Sequence, residues 1–160
     1  MSTSLPADPP AARSLTGVMP DLVASLGGMP RTLPPVTSAI ALVIDGLGAA
    51  NLAARAGHAR FLAPRMSKKD VARTVFPATT AAALTSLLTA TSPGEHGLVG
   101  YAVRDPHRNA VVNQLRGWET DRLDPLTWQR SEPVFARESR EGRPCFVVTR
   151  KKYIGTGFTT

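Results

Sequence analysis

Cysteine is almost absent: Cys145 stands alone in 160 residues. A disulfide within the chain is therefore excluded, and so is a zinc site built from clustered cysteines. This composition agrees with a reducing compartment, and the sequence reads as cytoplasmic. Long apolar runs are missing too. None approaches the roughly 18 residues that a membrane-spanning helix needs. The opening segment MSTSLPADPPAARS lacks the apolar centre of a signal peptide, so neither a membrane nor a secretory route is expected. Acidic residues are in the minority, 12 against 19 lysines and arginines, for a net charge of +7. A basic balance favours anionic partners. Yet no basic arm or stripe occurs, only the short clusters Lys68-Lys69 and Arg150-Lys151-Lys152. Aromatic residues make up 6%, with no aromatic-plus-glycine pattern for stacking RNA bases. A nucleic-acid partner is not expected.

What remains fits one ordinary domain with a real core, since 42% of the residues are hydrophobic. Residues 1–18 are rich in Pro, Ala and Ser and read as a flexible tail. The folded part is expected over 19–160. MPDLVASLGG carries a short helical pattern stopped by Gly27-Gly28, and MPRTLPPVTS is a proline-punctuated connector. Residues 39–44 form a continuous apolar run ended by Asp45-Gly46. Such a run suits a strand buried on both faces, as in parallel sheets. AANLAARAG reads as a short helix and VARTVF as a second strand. TAAALTSLLTA reads as a helix with Ala81, Leu84, Leu87 and Leu88 on one side. SPGEHG is a turn, LVGYAV a third strand and RDPHRN another turn. EPVFARESREG is a helix ended by Gly142, and PCFVVTR a last strand. Alternating strands and helices predict an α/β fold with a mostly parallel sheet flanked by helices.

In such sheets functional groups collect just past the carboxyl ends of the strands. Asp45 is at one such end. Its carboxylate can hold a cation, accept a proton or simply cap a turn. Thr79 and Thr80 are at another, where an extended segment becomes a helix. Threonine is a favoured N-cap, which is one reading of the pair. A helix N-terminus also attracts anions, which is the second. A threonine oxygen there could attack phosphorus if a metal ion lowered its pKa, and Asp45 could help hold that ion.

The ordered set Ile44-Asp45-Gly46, Phe76-Pro77 with Thr79-Thr80, and Pro93-Gly94-Glu95-His96-Gly97 closely resembles the alkaline phosphatase superfamily. It looks most like the type I phosphodiesterase/nucleotide pyrophosphatase branch. The resemblance covers about residues 38–106, and CFVVTRKKYIGTGFT also looks like a strand and loop of these enzymes. It implies a metal-dependent phosphoric ester hydrolase with a threonine nucleophile, which counting back from His96-Gly97 puts at Thr80. It implies that Asp45 is a metal ligand, that Thr80 oxygen is held by a metal, and that two divalent ions, zinc or zinc-like, flank the phosphoryl group. His96 belongs to the family's turn and is expected to be structural.

Two departures stand out. Relatives commonly carry an asparagine five residues after the turn histidine, bonded to a phosphoryl oxygen. Tyr101 stands there, and its hydroxyl can also donate, so Tyr101 is expected to bind substrate. The substrate class is a small phosphate ester, with nucleotides less favoured. The family's later ligand motifs, such as Asp-x-x-Gly-His, do not follow Gly97. The sequence is therefore expected to be the N-terminal portion of such an enzyme, nearly inactive alone, and to self-associate through exposed core. The other reading is a non-catalytic α/β module that binds anions at the Thr80 helix.

Overall fold

A computed structural model describes residues 13–29 and 31–157. The segment read as a tail falls mostly outside these residues, but its last part does not: helix α1 spans Leu15–Leu26. It ends at Gly27, and Gly28 follows in the left-handed region at φ 71°. Helix α2 is Ala49–Ala54 and α3 is Thr80–Thr89. The turn expected over SPGEHG is a short helix, α4, Pro93–His96, closed by Gly97 at φ 85°. Strands β1 (Ala102–Asp105) and β2 (Ala110–Asn113) follow, then α5 (Gly117–Thr120), α6 (Pro125–Trp128) and α7 (Val134–Arg140).

Two clusters make the core. Met19 of α1, Leu87 of α3 and Val134 of α7 form one, with Leu15, Val18, Leu22, Val23, Ala90 and Phe135 packed around them. The periodicity of α1 puts Leu15, Val18, Met19, Leu22 and Val23 on one stripe, which is what a helix needs to bury one face. The second cluster is Leu98, Val112, Trp118 and Leu123, with Val103 and Trp128 against it. Helix α3 packs against α1, α4 and α7, and its buried face is more polar than its leucines suggest. Ala81, Ala82, Thr85, Ser86, Leu87 and Thr89 are buried, while Leu84 and Leu88 are half-buried. Thr85 and Thr89 hydroxyls donate to the carbonyls of Ala81 and Thr85, one turn back, at 2.8 and 2.7 Å, so neither is unpaired in the interior.

The mostly parallel sheet expected from the sequence is not formed among the described residues. Their sheet is one antiparallel hairpin, β1 with β2, in the register Val103 opposite Val112. The turn read over RDPHRN is its loop, and β2 is a strand that the sequence reading omitted. Asp105 Oδ1 accepts from the backbone N–H groups of His107 and Arg108 at 2.9 and 3.3 Å, and Asn109 takes φ 51°. An Asx-type turn thus closes the loop.

Residues 39–44 form no strand and are exposed: Ile40 is 91% and Leu42 79% accessible. Residues 146–148 behave alike, with Val148 at 98%. Residues 71–76 hold only an isolated parallel bridge, Arg73 with Ser14. The physical reason is the ladder. A buried strand needs backbone partners on its flanks, and no backbone hydrogen bond among the described residues joins 39–43 or 145–149 to another segment. The apolar patterning of these runs is that of strands; their partners are what the described residues do not supply.

Candidate active site

Three residues 35 and 21 positions apart along the chain meet at the start of α3. Thr79 is the N-cap. Its backbone is extended, at φ −83° and ψ 154°, and its Oγ1 accepts from the Ala82 N–H at 3.3 Å. Capping therefore occupies Thr79 and leaves the next hydroxyl free to face outward. That hydroxyl is Thr80 Oγ1. It lies 3.3 Å from both Asp45 Oδ1 and Oδ2, long for a hydroxyl–carboxylate bond. It lies 2.5 Å from the phenolic oxygen of Tyr101. The three residues singled out from the sequence are thus brought together, at the N-terminal end of a ten-residue helix whose first N–H groups have no partner within the helix.

Each neighbour is held by its own local structure. Asp45 occupies a tight turn in which the Leu47 N–H donates to the Ile44 carbonyl at 3.2 Å and Gly46 adopts φ 78°. Asn51 of α2 secures that turn through Nδ2 to the Gly46 carbonyl at 3.1 Å. Tyr101 ends the segment between α4 and β1, and the fully buried Gln114 fixes that segment. Gln114 Oε1 accepts from the N–H groups of Val99 and Gly100 at 2.9 and 3.2 Å. Its Nε2 donates to the Gly97 carbonyl at 3.2 Å, and its backbone N–H donates to the Tyr101 carbonyl at 2.8 Å. Asn51 and Gln114 escaped the sequence reading. Gln114 left one trace there, a polar residue at the end of the apolar run AVVN.

His96 lies away from this group. It is fully buried, its Nε2 is 2.9 Å from Ser86 Oγ, and its Nδ1 accepts from the Leu98 N–H at 3.1 Å. Acceptance at Nδ1 puts the ring proton on Nε2. Burial lowers its pKa from the ordinary 6.5, opposed by a bond to the Ala82 carbonyl and by Glu95. It ties α4 to α3, and so carries the turn that leads to Tyr101.

As a donor set, the site offers one carboxylate and two hydroxyl oxygens. Zinc sites ordinarily take three protein ligands per ion. Among the described residues, no three or more His, Cys, Asp or Glu side chains gather into a group able to hold an ion. The residues here therefore do not by themselves make up a site for two zinc ions. Nor is any helix among them long and apolar enough to cross a membrane.

Compared with known proteins, the chain matches the family model described as type I phosphodiesterase / nucleotide pyrophosphatase over residues 39–157. That stretch contains Asp45, Thr80, Tyr101 and Gln114 together. No curated protein and no solved structure matches the chain.

Proposed function

Since the chain belongs to the type I phosphodiesterase/nucleotide pyrophosphatase family, a class of metalloenzymes that hydrolyse phosphate esters, we propose that it carries the nucleophile of such an enzyme at Thr80. One observation supports this above the others: Thr80 Oγ1 faces Asp45 and Tyr101 while the neighbouring Thr79 hydroxyl is engaged in capping. The substrate is a small phosphate diester. Thr80 Oγ1 forms a bond to phosphorus, and the bond from phosphorus to the leaving oxygen breaks. The leaving group departs with the electron pair, and the Thr80 proton is lost to solvent water. The developing negative charge lies at the positive end of α3.

Asp45 is proposed as a ligand for a divalent ion, zinc or zinc-like. Such an ion, when bound, would supply positive charge to Thr80 oxygen and phosphoryl oxygens. Its remaining donors would come from outside the described residues, as would partner strands for 39–44. Residues 19–160 are thus proposed as the N-terminal part of an alkaline-phosphatase-like domain. On this reading the first attack is within reach of the chain, and hydrolysis of the resulting phosphoryl-threonine ester is slow.

The test is a stopped-flow experiment with bis(4-nitrophenyl) phosphate in zinc-containing buffer. The expected result is a burst approaching one 4-nitrophenolate per chain, followed by little turnover, and no burst from Thr80→Val. Phosphate binding without any burst would favour the non-catalytic anion-binding module instead. A burst that survives in Thr80→Val would remove Thr80 from the mechanism.

A further inference from the structure

Tyr101 has one phenolic proton and two candidate tasks: to meet a phosphoryl oxygen, or to meet the nucleophile itself. The 2.5 Å separation from Thr80 Oγ1 brings the second task forward, and counting protons gives it a direction. A carboxylate only accepts. A bond between Thr80 and Asp45, whose oxygens lie 3.3 Å apart, therefore has the Thr80 hydroxyl as donor. That leaves Thr80 Oγ1 with lone pairs only toward Tyr101. A phenol is also a better donor than an aliphatic hydroxyl. Reversing the chain would send the Thr80 proton to Tyr101 and set two lone-pair oxygens of Asp45 against a third.

We propose that Tyr101 is a donor to the nucleophile: its O–H bonds Thr80 Oγ1, so that a phenol–threonine–carboxylate chain aims the attacking oxygen and stabilises it as its proton leaves. This rests on Thr80 being the nucleophile. As the Thr80 proton is lost, negative charge grows on Oγ1, and the Tyr101 bond becomes charge-assisted and stronger. An interaction that strengthens along the reaction speeds the chemical step and not merely binding. Tyr101 keeps its proton throughout, so no other reactant is needed. The arrangement also gives a reason for tyrosine here. An asparagine side chain is several ångströms shorter than a tyrosine's, so its amide is expected to fall short of Thr80 Oγ1. Gln114 then sets the height of the phenol, because it holds the backbone from Gly97 to Tyr101.

Two measurements separate this inference from the reading it rests on. The first needs no activity. Tyr153 is the only other tyrosine, so in a Tyr153→Phe background the tyrosine Fermi doublet in the ultraviolet Raman spectrum reports Tyr101 alone. A strong-donor ratio is expected, kept in Thr80→Ser and lost in Thr80→Val. An acceptor ratio, or a ratio that Thr80→Val leaves unchanged, overturns the proposal. The second is the burst rate. Tyr101→Phe is expected to slow the burst on the order of 100-fold or more at unchanged amplitude, as for loss of one donor to a reacting oxygen. Tyr101→Asn is expected not to restore the rate. Restoration by asparagine, or an unchanged rate in Tyr101→Phe, would return the phenol to a phosphoryl oxygen and overturn the proposal. A wild-type chain with the donor ratio but no burst at all sinks the nucleophile, and with it any catalytic part for Tyr101.

Discussion

Gln114 and Tyr101 are joined through the backbone, the Gln114 N–H donating to the Tyr101 carbonyl at 2.8 Å, while the Gln114 amide holds three more backbone groups just upstream. A buried side chain outside the site thus sets the height of a hydroxyl inside it. Gln114→Leu would keep the volume and strip three part-buried backbone groups of their partners. A fully buried loss costs about 1–3 kcal/mol, and water reaches these groups in part, Val99 being exposed, so a total destabilisation of about 1–3 kcal/mol is expected. The check is a thermal melt followed by circular dichroism, together with the burst rate at a temperature where the variant is folded. A slowed burst in the folded variant fits the positioning role; a melt and a burst both like the wild type would refute it.

Gly97 is a second point where backbone geometry is set. It takes φ 85°, and a Cβ there would lie 2.6 Å from the Trp128 carbonyl oxygen. Gly97→Ala therefore meets both left-handed strain and a backbone clash. The expected cost is about 2 kcal/mol or more, read as a fall in the denaturation midpoint. By contrast Gly94→Ala, which meets nothing within 4 Å, is expected to be close to neutral. Equal effects from the two would argue against this geometry.

His96 makes the fold sensitive to mild acid. Burial holds its pKa below the ordinary value in the folded chain. As pH falls, the unfolded chain takes up the proton first. The stability linked to His96 is therefore full above about pH 6.5 and declines below it, toward the folded-state value. Denaturant titrations between about pH 7 and 5 should show this loss. His96→Gln is expected to be less stable at pH 7 but to lose the slope in that window. A wild-type chain equally stable across the window would contradict the role given to burial.

Helix α3 and the Asp45 turn were legible because each is a local pattern, whereas the grouping of Asp45, Thr80 and Tyr101, 35 and 21 positions apart, followed only from the resemblance to a family. A hydroxyl pair before a helical apolar stripe and an Asp-Gly after an apolar run announce themselves within a few residues. The sheet was not legible in the same way. Residues 39–44 have the composition of a buried strand, but a ladder is a property of two segments, and composition names only one of them. The β1–β2 hairpin was half seen, its loop read as a turn and its second strand missed. Val111 and Val112 gave too short a run, and pairing with β1 is what makes it a strand. Gln114 was hidden for a related reason. Its importance lies in three backbone groups 14 to 17 residues away, and no spacing rule reaches that far.

The exposed apolar runs carry their own consequence. Ile40, Leu42, Phe146 and Val148 are each at least 79% accessible, and such surface promotes association. Sedimentation velocity is expected to find concentration-dependent oligomers. Leu42→Glu with Val148→Glu should shift the distribution toward monomer while leaving the helical circular dichroism unchanged, since neither side chain packs in the core. A monodisperse wild-type monomer would contradict this prediction.

Thr80, and not its capping neighbour Thr79, is proposed to attack phosphorus. The most direct test is to quench the reaction with bis(4-nitrophenyl) phosphate after the burst, digest the chain and locate the adduct by tandem mass spectrometry. A phosphoryl ester is expected on Thr80 alone, absent when Thr80 is valine and present when Thr79 is alanine. An adduct on Thr79, on Tyr101 or on no residue near α3 would contradict it.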